Sequence, residues 1–171
     1  MIEARAVIES IEKAKSAVES LGGELKSNYA FKDIIFIPKS GNFDLNKEFV
    51  RIRVYTKTDW PTKDVVLIKK QAEWKKQGKV DKTLLKKEFD TEQEAFDFIE
   101  KNLPDLKKGF EYSREGWQYQ LGNSRIFIED IKGYKPTIEI EAEDKLDNLF
   151  DKIGVLEKLK DSVPEIIRKN N

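Results

Sequence analysis

Most of the chain alternates apolar and polar residues with a period of two. The run VRIRV places three apolar residues on one side of a strand and Arg51 and Arg53 on the other, and TIEIEA does the same with Glu139 and Glu141. Such alternation predicts strands with one buried face. The predicted strands are 2–9, 29–37, 49–56, 64–71, 83–90, 110–115, 117–121, 125–131 and 137–143.

Helical periodicity is confined to four segments. It predicts helices over 10–21, 92–103 and 144–153, and a short last helix that begins at Ser162. Thr91 and the glutamate three residues later have the spacing of a capping box. Glycines predict turns at Gly109, Gly116, Gly122-Asn123 and Gly133, and loops are predicted over 38–48, 57–63 and the lysine-rich 72–82.

The amino-acid composition limits which catalytic groups and metal ligands the chain can use. The chain has no His and no Cys, which excludes thiolate nucleophiles, the Ser-His-Asp triad and zinc held by soft ligands. Any metal must then be held by oxygen, which favours Mg²⁺, Mn²⁺ or Ca²⁺. The 32 Lys and Arg balance the 32 Asp and Glu, so bulk electrostatic binding to nucleic acid is not expected. The lysine-rich 69–87 lies beside acids and is interpreted as solvated.

Arginine is used sparingly, with six residues against 26 lysines. Arg5, Arg51, Arg53 and Arg125 lie on the polar faces of predicted strands, where a lysine-rich chain would ordinarily carry lysine. Two architectures fit the alternation: an antiparallel sheet with a solvated charged face, and a closed barrel with the charged face inward. Periodicity does not choose between them, and the arginines favour the barrel because their planar fork suits phosphate or carboxylate.

No apolar run approaches the roughly 20 residues that span a bilayer, and the N-terminus lacks the apolar core of a signal peptide. The sequence therefore predicts one cytoplasmic domain over 1–171, with no membrane contact, as a monomer or homodimer.

Seven segments, collinear with the family pattern, resemble the CYTH superfamily, the triphosphate tunnel metalloenzymes. The run RIFIEDIKGYKPTIEIE (125–141) resembles the late family signature, with Glu139 and Glu141 at its paired-Glu positions. FKDIIF (31–36) resembles a cyclase-like segment. The others are RIR (51–53), LIK (67–69), KKEFD (86–90), REGW (114–117) and SVPEII (162–167).

This resemblance implies an α+β fold: a closed eight-stranded antiparallel β-barrel, the tunnel, with helices packed outside. It also implies a small-molecule triphosphate substrate and Mg²⁺ or Mn²⁺ as cofactor. The implied triphosphate-binding residues are Arg51, Arg53, Lys69, Lys86, Arg114 and Arg125. The implied metal ligands are Glu3, Glu88, Glu129, Glu139 and Glu141, with Glu3 and Arg5 at catalytic positions.

The N-terminus departs from the family pattern Glu-x-Glu-x-Lys. Here it is Met1-x-Glu3-x-Arg5, so one metal ligand is either absent or lies upstream of Met1, and an arginine replaces the lysine credited with activating water. Arginine stays protonated and is a poor base.

Three functions are consistent with this sequence. The first is a metal-dependent enzyme that hydrolyses inorganic or organic triphosphate (thiamine triphosphate, for example) or cyclises ATP to cyclic AMP. The second is a module that binds triphosphate or nucleotide without turnover, and the third is a barrel whose internal charges only pair.

Overall fold

The computed structural model describes all 171 residues as nine strands and four helices. The strands are β1 (Ile2–Val7), β2 (Glu24–Pro38), β3 (Glu48–Lys57), β4 (Val65–Trp74), β5 (Lys79–Phe89), β6 (Leu106–Leu121), β7 (Ser124–Ile131), β8 (Thr137–Ala142) and β9 (Glu157–Leu159). The helices are α1 (Ile11–Ser20), α2 (Glu92–Asn102), α3 (Leu146–Ile153) and α4 (Val163–Lys169).

The strands form a closed antiparallel ring. Eight of them pair in the order β5-β4-β3-β2-β6-β7-β8-β1, and β1 also pairs with β5, which closes the ring. The short β9 pairs with β1 and is not one of these eight strands. The last contact is a single residue pair, Glu3 with Lys79. The ring confirms the closed alternative over the open sheet.

The apolar faces of the strands point away from the ring and are covered by helices. Ala14 and Val18 of α1 and Phe150 of α3 belong to one cluster, which includes the outward residues of β7 and β8. Ala95 and Ile99 of α2 pack against the outward residues of β3 and β4. Burying a side chain such as Val18 or Ile99 stabilises the fold by about 1.5–3 kcal/mol. The charged faces are thereby left to the interior.

The last helix closes one end of that interior. Val163 and Ile167 pack against Ile35, Tyr112 and Ile131, which have the same strand parity as the inward charges. No helix in the chain is long and apolar enough to cross a membrane.

Several predicted boundaries are wrong. Gly109 and Gly116 do not mark turns but lie inside one 16-residue strand, β6. At Gly116 the strand packs so closely on Tyr29 that a Cβ would lie 2.3 Å from its ring. The predicted loop 72–82 is a hairpin whose turn spans only 75–78. Its two arms are in continuous register from Lys70 with Thr83 to Trp74 with Lys79. The short β9 was not predicted.

Candidate functional site

The inward faces of the strands surround a cavity of about 160 Å³. Its wall combines six cations with five acids. The cations are Arg5, Arg51, Arg53, Lys70, Lys79 and Arg114, and the acids are Glu3, Asp81, Glu129, Glu139 and Glu141. Aromatic residues, including Tyr29, Phe31, Trp60 and Phe127, complete the wall, and Val163 and Pro164 of α4 also line it.

Asp33 is a fully buried counter-ion for two arginines. Its carboxylate accepts two hydrogen bonds from Arg53, at 2.7 and 2.9 Å, and one from Arg114 at 3.2 Å. Burial by itself would raise the pKa of Asp33, but Arg53, with Arg51 and Arg114, holds it well below its ordinary range. The carboxylate is therefore charged at all ordinary pH values and fixes both guanidinium groups.

Glu129 has the same role at a second position. One carboxylate oxygen accepts from Arg5 at 2.7 Å and from Arg114 at 2.9 Å, and the other accepts from the Tyr29 hydroxyl at 2.7 Å. Burial opposes the charge, yet Arg114 and Arg5 lower the pKa of Glu129 to about 2. Because both oxygens already accept hydrogen bonds, this geometry supports a counter-ion more than the metal ligand implied by the resemblance.

Three other carboxylates lie together, although each also has one cationic neighbour: Lys79 for Glu3, Arg5 for Glu139 and Arg125 for Glu141. Single oxygens of Glu3, Glu139 and Glu141 lie within 4.8 Å of one another. The register explains this, since Glu3 pairs with Glu141 and Arg5 with Glu139 across β1 and β8. Burial, and then the charge of Glu139, raise the pKa of Glu3 to about 8. Three crowded carboxylate oxygens are a donor set that fits Mg²⁺ or Mn²⁺.

Arg51 is a buried cation without an acidic partner. Its side chain lines the cavity but takes part in none of the interior ion pairs, and its Nε has no hydrogen-bond partner. Burial and the neighbouring Arg53 lower the pKa of Arg51 to about 10. Lys70 lies nearby, where burial and Arg51 lower its pKa as well. This part of the wall has excess positive charge and is suited to an anion.

No protein-family model and no curated protein sequence matches the chain, but solved structures do. The PH1819 protein from Pyrococcus horikoshii has a TM-score of 0.79 at 14% identity, covering 99% of both chains. A candidate adenylate cyclase from Vibrio parahaemolyticus has a TM-score of 0.71 at 12% identity, covering 98% of this chain and 97% of its own. HpAC1 from Hippeastrum, a candidate adenylyl cyclase with a dominant triphosphatase activity, has a TM-score of 0.70 at 15% identity, covering 99% and 96%. The chain has the fold of these structures, as its resemblance to the CYTH superfamily implies.

The structure brings most, but not all, of the site residues implied by the CYTH resemblance to the cavity. Eight of them line the cavity: Glu3, Arg5, Arg51, Arg53, Arg114, Glu129, Glu139 and Glu141. Arg125 is at the edge, with its side chain 48% exposed and bound to Glu141 at 2.6 Å.

Three predicted residues are not brought to the cavity. Lys69 lies on the outer side of β4 and pairs with Glu48 at 3.2 Å. Lys86 is exposed, and Glu88 is exposed and accepts from Thr62. The structure thus gives no support to phosphate binding by Lys69 or Lys86, or to metal binding by Glu88.

Other cavity residues were not predicted. Lys70 lies in the cavity instead of Lys69, and Lys79 and Asp81 come from the segment that was predicted to be a loop. Asp33 lay within a recognised segment, but it received no role. Its role depends on a pairing that only the fold shows: Asp33 lies opposite Arg53 across β2 and β3.

Arg5 occupies the position where the CYTH pattern has lysine, and its donors are occupied. One terminal nitrogen donates to Glu129 and to the Thr137 hydroxyl, and the other donates to Glu139 at 2.8 Å. Although burial opposes the charge, Glu139 and Glu129 raise the pKa of Arg5 above its ordinary value. Arg5 therefore remains a cation and cannot accept a proton from water.

Proposed function

We propose that this protein is a metal-dependent triphosphatase that acts inside the ring. The observation that supports this most directly is one cavity that contains both an unpartnered buried cation, Arg51, and a cluster of three carboxylates. A ligand that joins negative phosphate groups to a divalent cation would satisfy both. A barrel whose charges only pair would neither leave Arg51 without an acidic partner nor crowd three carboxylate oxygens together.

The residues divide into a binding group and a supporting group. Arg51 has charge available for phosphate oxygens, and Lys70 and Lys79 add to it because both share one carboxylate, that of Asp81. Arg53 and Arg114 line the same wall, but Asp33 and Glu129 hold them in place. Such fixed cations stabilise charge that develops on a phosphoryl group, because they need no rearrangement when it appears.

The reaction we assign is the hydrolysis of a terminal phosphoanhydride. A water oxygen bonds to the terminal phosphorus, the bridging P–O bond breaks, and diphosphate leaves with its electron pair while a proton passes to solvent. Glu3, Glu139 and Glu141 would hold Mg²⁺ or Mn²⁺, which offsets phosphate charge and polarises a phosphoryl oxygen. In a chain without His, and with Arg5 fixed as a cation, catalysis depends on positioning and electrostatics.

A second function, triphosphate binding without turnover, is favoured by Arg5. Its guanidinium spans Glu129, Thr137 and Glu139, so the position where the family pattern has lysine offers no base. This second function uses the same site as the triphosphatase and differs from it only in that no product forms.

The test is incubation of the purified chain with inorganic triphosphate, ATP and thiamine triphosphate, each with Mg²⁺ or Mn²⁺, followed by product analysis. Orthophosphate release that disappears in Glu139→Gln supports the triphosphatase. The matched control is Glu143→Gln, because Glu143 is exposed and its one ion pair, with the N-terminal amine, is long at 3.9 Å. Formation of cyclic AMP and diphosphate from ATP would mean that the reaction is cyclisation and not hydrolysis. Tight binding without product would support the binding module. No binding of any of the three would refute both.

A further inference from the structure

Asp81 of β5 is a buried acid in the cavity wall with one carboxylate oxygen to spare. Its side chain is only 8% exposed and lines the cavity. One oxygen, Oδ2, accepts hydrogen bonds from Lys79 at 3.1 Å and from Lys70 at 3.4 Å. The other, Oδ1, is buried and has no hydrogen-bond partner. Buried polar atoms are nearly always partnered, so an orphaned carboxylate oxygen in a cavity wall indicates a place for a cation or a water.

The pairing of β1 with β5 places Asp81 beside the cluster of three carboxylates. Glu3 pairs with Lys79, and because the two strands are antiparallel, Asp81 comes opposite Met1 when the register is continued by two residues. Residues two apart on a strand point to the same side, so Asp81 shares the face of Lys79. The Lys79 ammonium lies 3.1 Å from Asp81 Oδ2 and 3.8 Å from Glu3 Oε2. One cation already bridges the two carboxylates.

Met1 occupies the position where the CYTH pattern has the first glutamate of Glu-x-Glu-x-Lys. A glutamate there would point to the same side of β1 as Glu3 and would add a carboxylate to the cluster. The methionine offers no oxygen ligand, which Mg²⁺ and Mn²⁺ prefer. The carboxylate nearest to this position across the closure of the ring is therefore that of Asp81, on the neighbouring strand.

We infer that Asp81 is a fourth metal-binding carboxylate, which takes the place of the one missing at Met1. It lies beyond the group that the three glutamates form within 4.8 Å, and its free Oδ1 adds an oxygen ligand from another strand. Mg²⁺ takes six oxygen ligands, so a fourth carboxylate suits the site. Lys70 and Lys79 are then positioning residues, because their hydrogen bonds to Oδ2 orient the carboxylate. The inference rests on the metal role that the proposed function gives to the cluster, but it does not require turnover.

The test measures Mn²⁺ binding to the purified chain in the absence of phosphate, by electron paramagnetic resonance of the free ion. We expect Asp81→Asn to raise the Kd for Mn²⁺ at least about tenfold, since even the outer partners of metal ligands contribute about 10- to 100-fold in affinity. The matched control is Asp90→Asn, which removes an exposed carboxylate that also pairs with a lysine, Lys63 at 3.3 Å, but lies outside the cavity. Equal constants for the two variants would overturn the inference.

A further variant separates a ligand from a residue that acts only through Lys79. Without Asp81, the Lys79 ammonium is free to pair with Glu3 and to compete with Mn²⁺. The comparison is therefore repeated without that ammonium, between Lys79→Met and Lys79→Met/Asp81→Asn. A Kd at least about tenfold higher in the double variant supports direct binding by Asp81. If the two variants bind Mn²⁺ equally, Asp81 acts only on Lys79 and the inference is overturned.

Crystals of the unaltered chain soaked in Mn²⁺ give a second measurement that does not depend on the folding of any variant. An anomalous peak with an Asp81 oxygen in its coordination shell supports the inference, and a peak bound by the glutamates alone overturns it. Hydrolysis assays distinguish this result from the proposed function. If Asp81 binds Mn²⁺ but no triphosphate is hydrolysed, the activity fails and the inference stands. If hydrolysis requires the metal but Asp81→Asn binds Mn²⁺ like the control, the inference fails and the activity stands.

Discussion

Arg51 and Arg53 lie two residues apart on β3, yet replacing each by methionine should change stability in opposite directions. Arg53 is bound by both oxygens of Asp33, whereas Arg51 has no acidic partner. Methionine keeps most of the side-chain length and removes the charge, so the pair of variants isolates the effect of the partner.

The magnitudes follow from the site. A pKa of Arg51 lowered from an ordinary 12.5 to about 10 means that its charge costs about 3 kcal/mol more in the folded than in the unfolded chain. This penalty is fully present at neutral pH, below both pKa values, so Arg51→Met should raise the free energy of unfolding by about 1–3 kcal/mol after packing losses. Arg53→Met removes one partner of a buried ion pair and should lower it by about 3–5 kcal/mol.

The same change at Arg51 should weaken triphosphate binding. Charge-assisted hydrogen bonds contribute about 1.5–3 kcal/mol, so the loss of Arg51 should raise Kd for triphosphate by about 10- to 100-fold. Urea unfolding at pH 7.5 measures the stability of both variants, and calorimetry in EDTA measures binding without turnover.

Two results would refute this reasoning. If Arg51→Met destabilises the chain as much as Arg53→Met, the absence of an acidic partner does not control the energetics of Arg51. If its stability rises but triphosphate affinity is unchanged, the unpartnered charge is not a phosphate ligand.

Three further predictions test other parts of the site. Folding lowers the pKa of Glu129 to about 2, so its contribution to the free energy of unfolding is present above pH 4.5 and is lost on acidification. Urea unfolding should therefore show about 3 kcal/mol less stability at pH 2 than at pH 5, and this difference should be smaller in Glu129→Gln. Gly116→Ala places a methyl group against the ring of Tyr29 and should lower the melting temperature by several degrees, with partial recovery in the double variant Gly116→Ala/Tyr29→Leu. Mg²⁺ at millimolar concentration should raise the melting temperature of the unaltered chain but not of Glu3→Gln, and an equal rise in that variant would argue against the carboxylate cluster as a cation site.

Much of the fold followed from local chemistry. Ser10, Thr91 and Ser162 accept hydrogen bonds from the backbone N–H three residues later, and each begins a helix where the sequence predicts one. Capping and helical periodicity act within a few residues, so the sequence carries them directly. The alternation in β3 and β8 also correctly grouped the arginines and glutamates onto one face of each strand.

Local patterns lost accuracy where the register shifted. Lys69 pairs with Leu85 and Lys70 with Thr83, so Leu84 of β5 is left out of the ladder and the alternation of β5 breaks there. The strand β4 keeps its alternation: Lys70 pairs with Phe49 on the face that carries the arginines of β3, whereas Lys69 pairs with Val50 on the outer face. The motif therefore pointed one residue away from the lysine that lines the cavity, and only the pairing with β3 decides which of the two faces inward.

By itself, the sequence determined that charged side chains of both signs share the same strand faces and that neither His nor Cys can contribute to their chemistry. Only the tertiary structure decided that these faces turn inward and which acid meets which base. A period of two assigns each side chain to a face, but it says nothing about which way the sheet curves or which strands become neighbours. Those long-range pairings place Asp33 and Glu129 against arginines, leave Arg51 unpaired, and bring Glu3, Glu139 and Glu141 together.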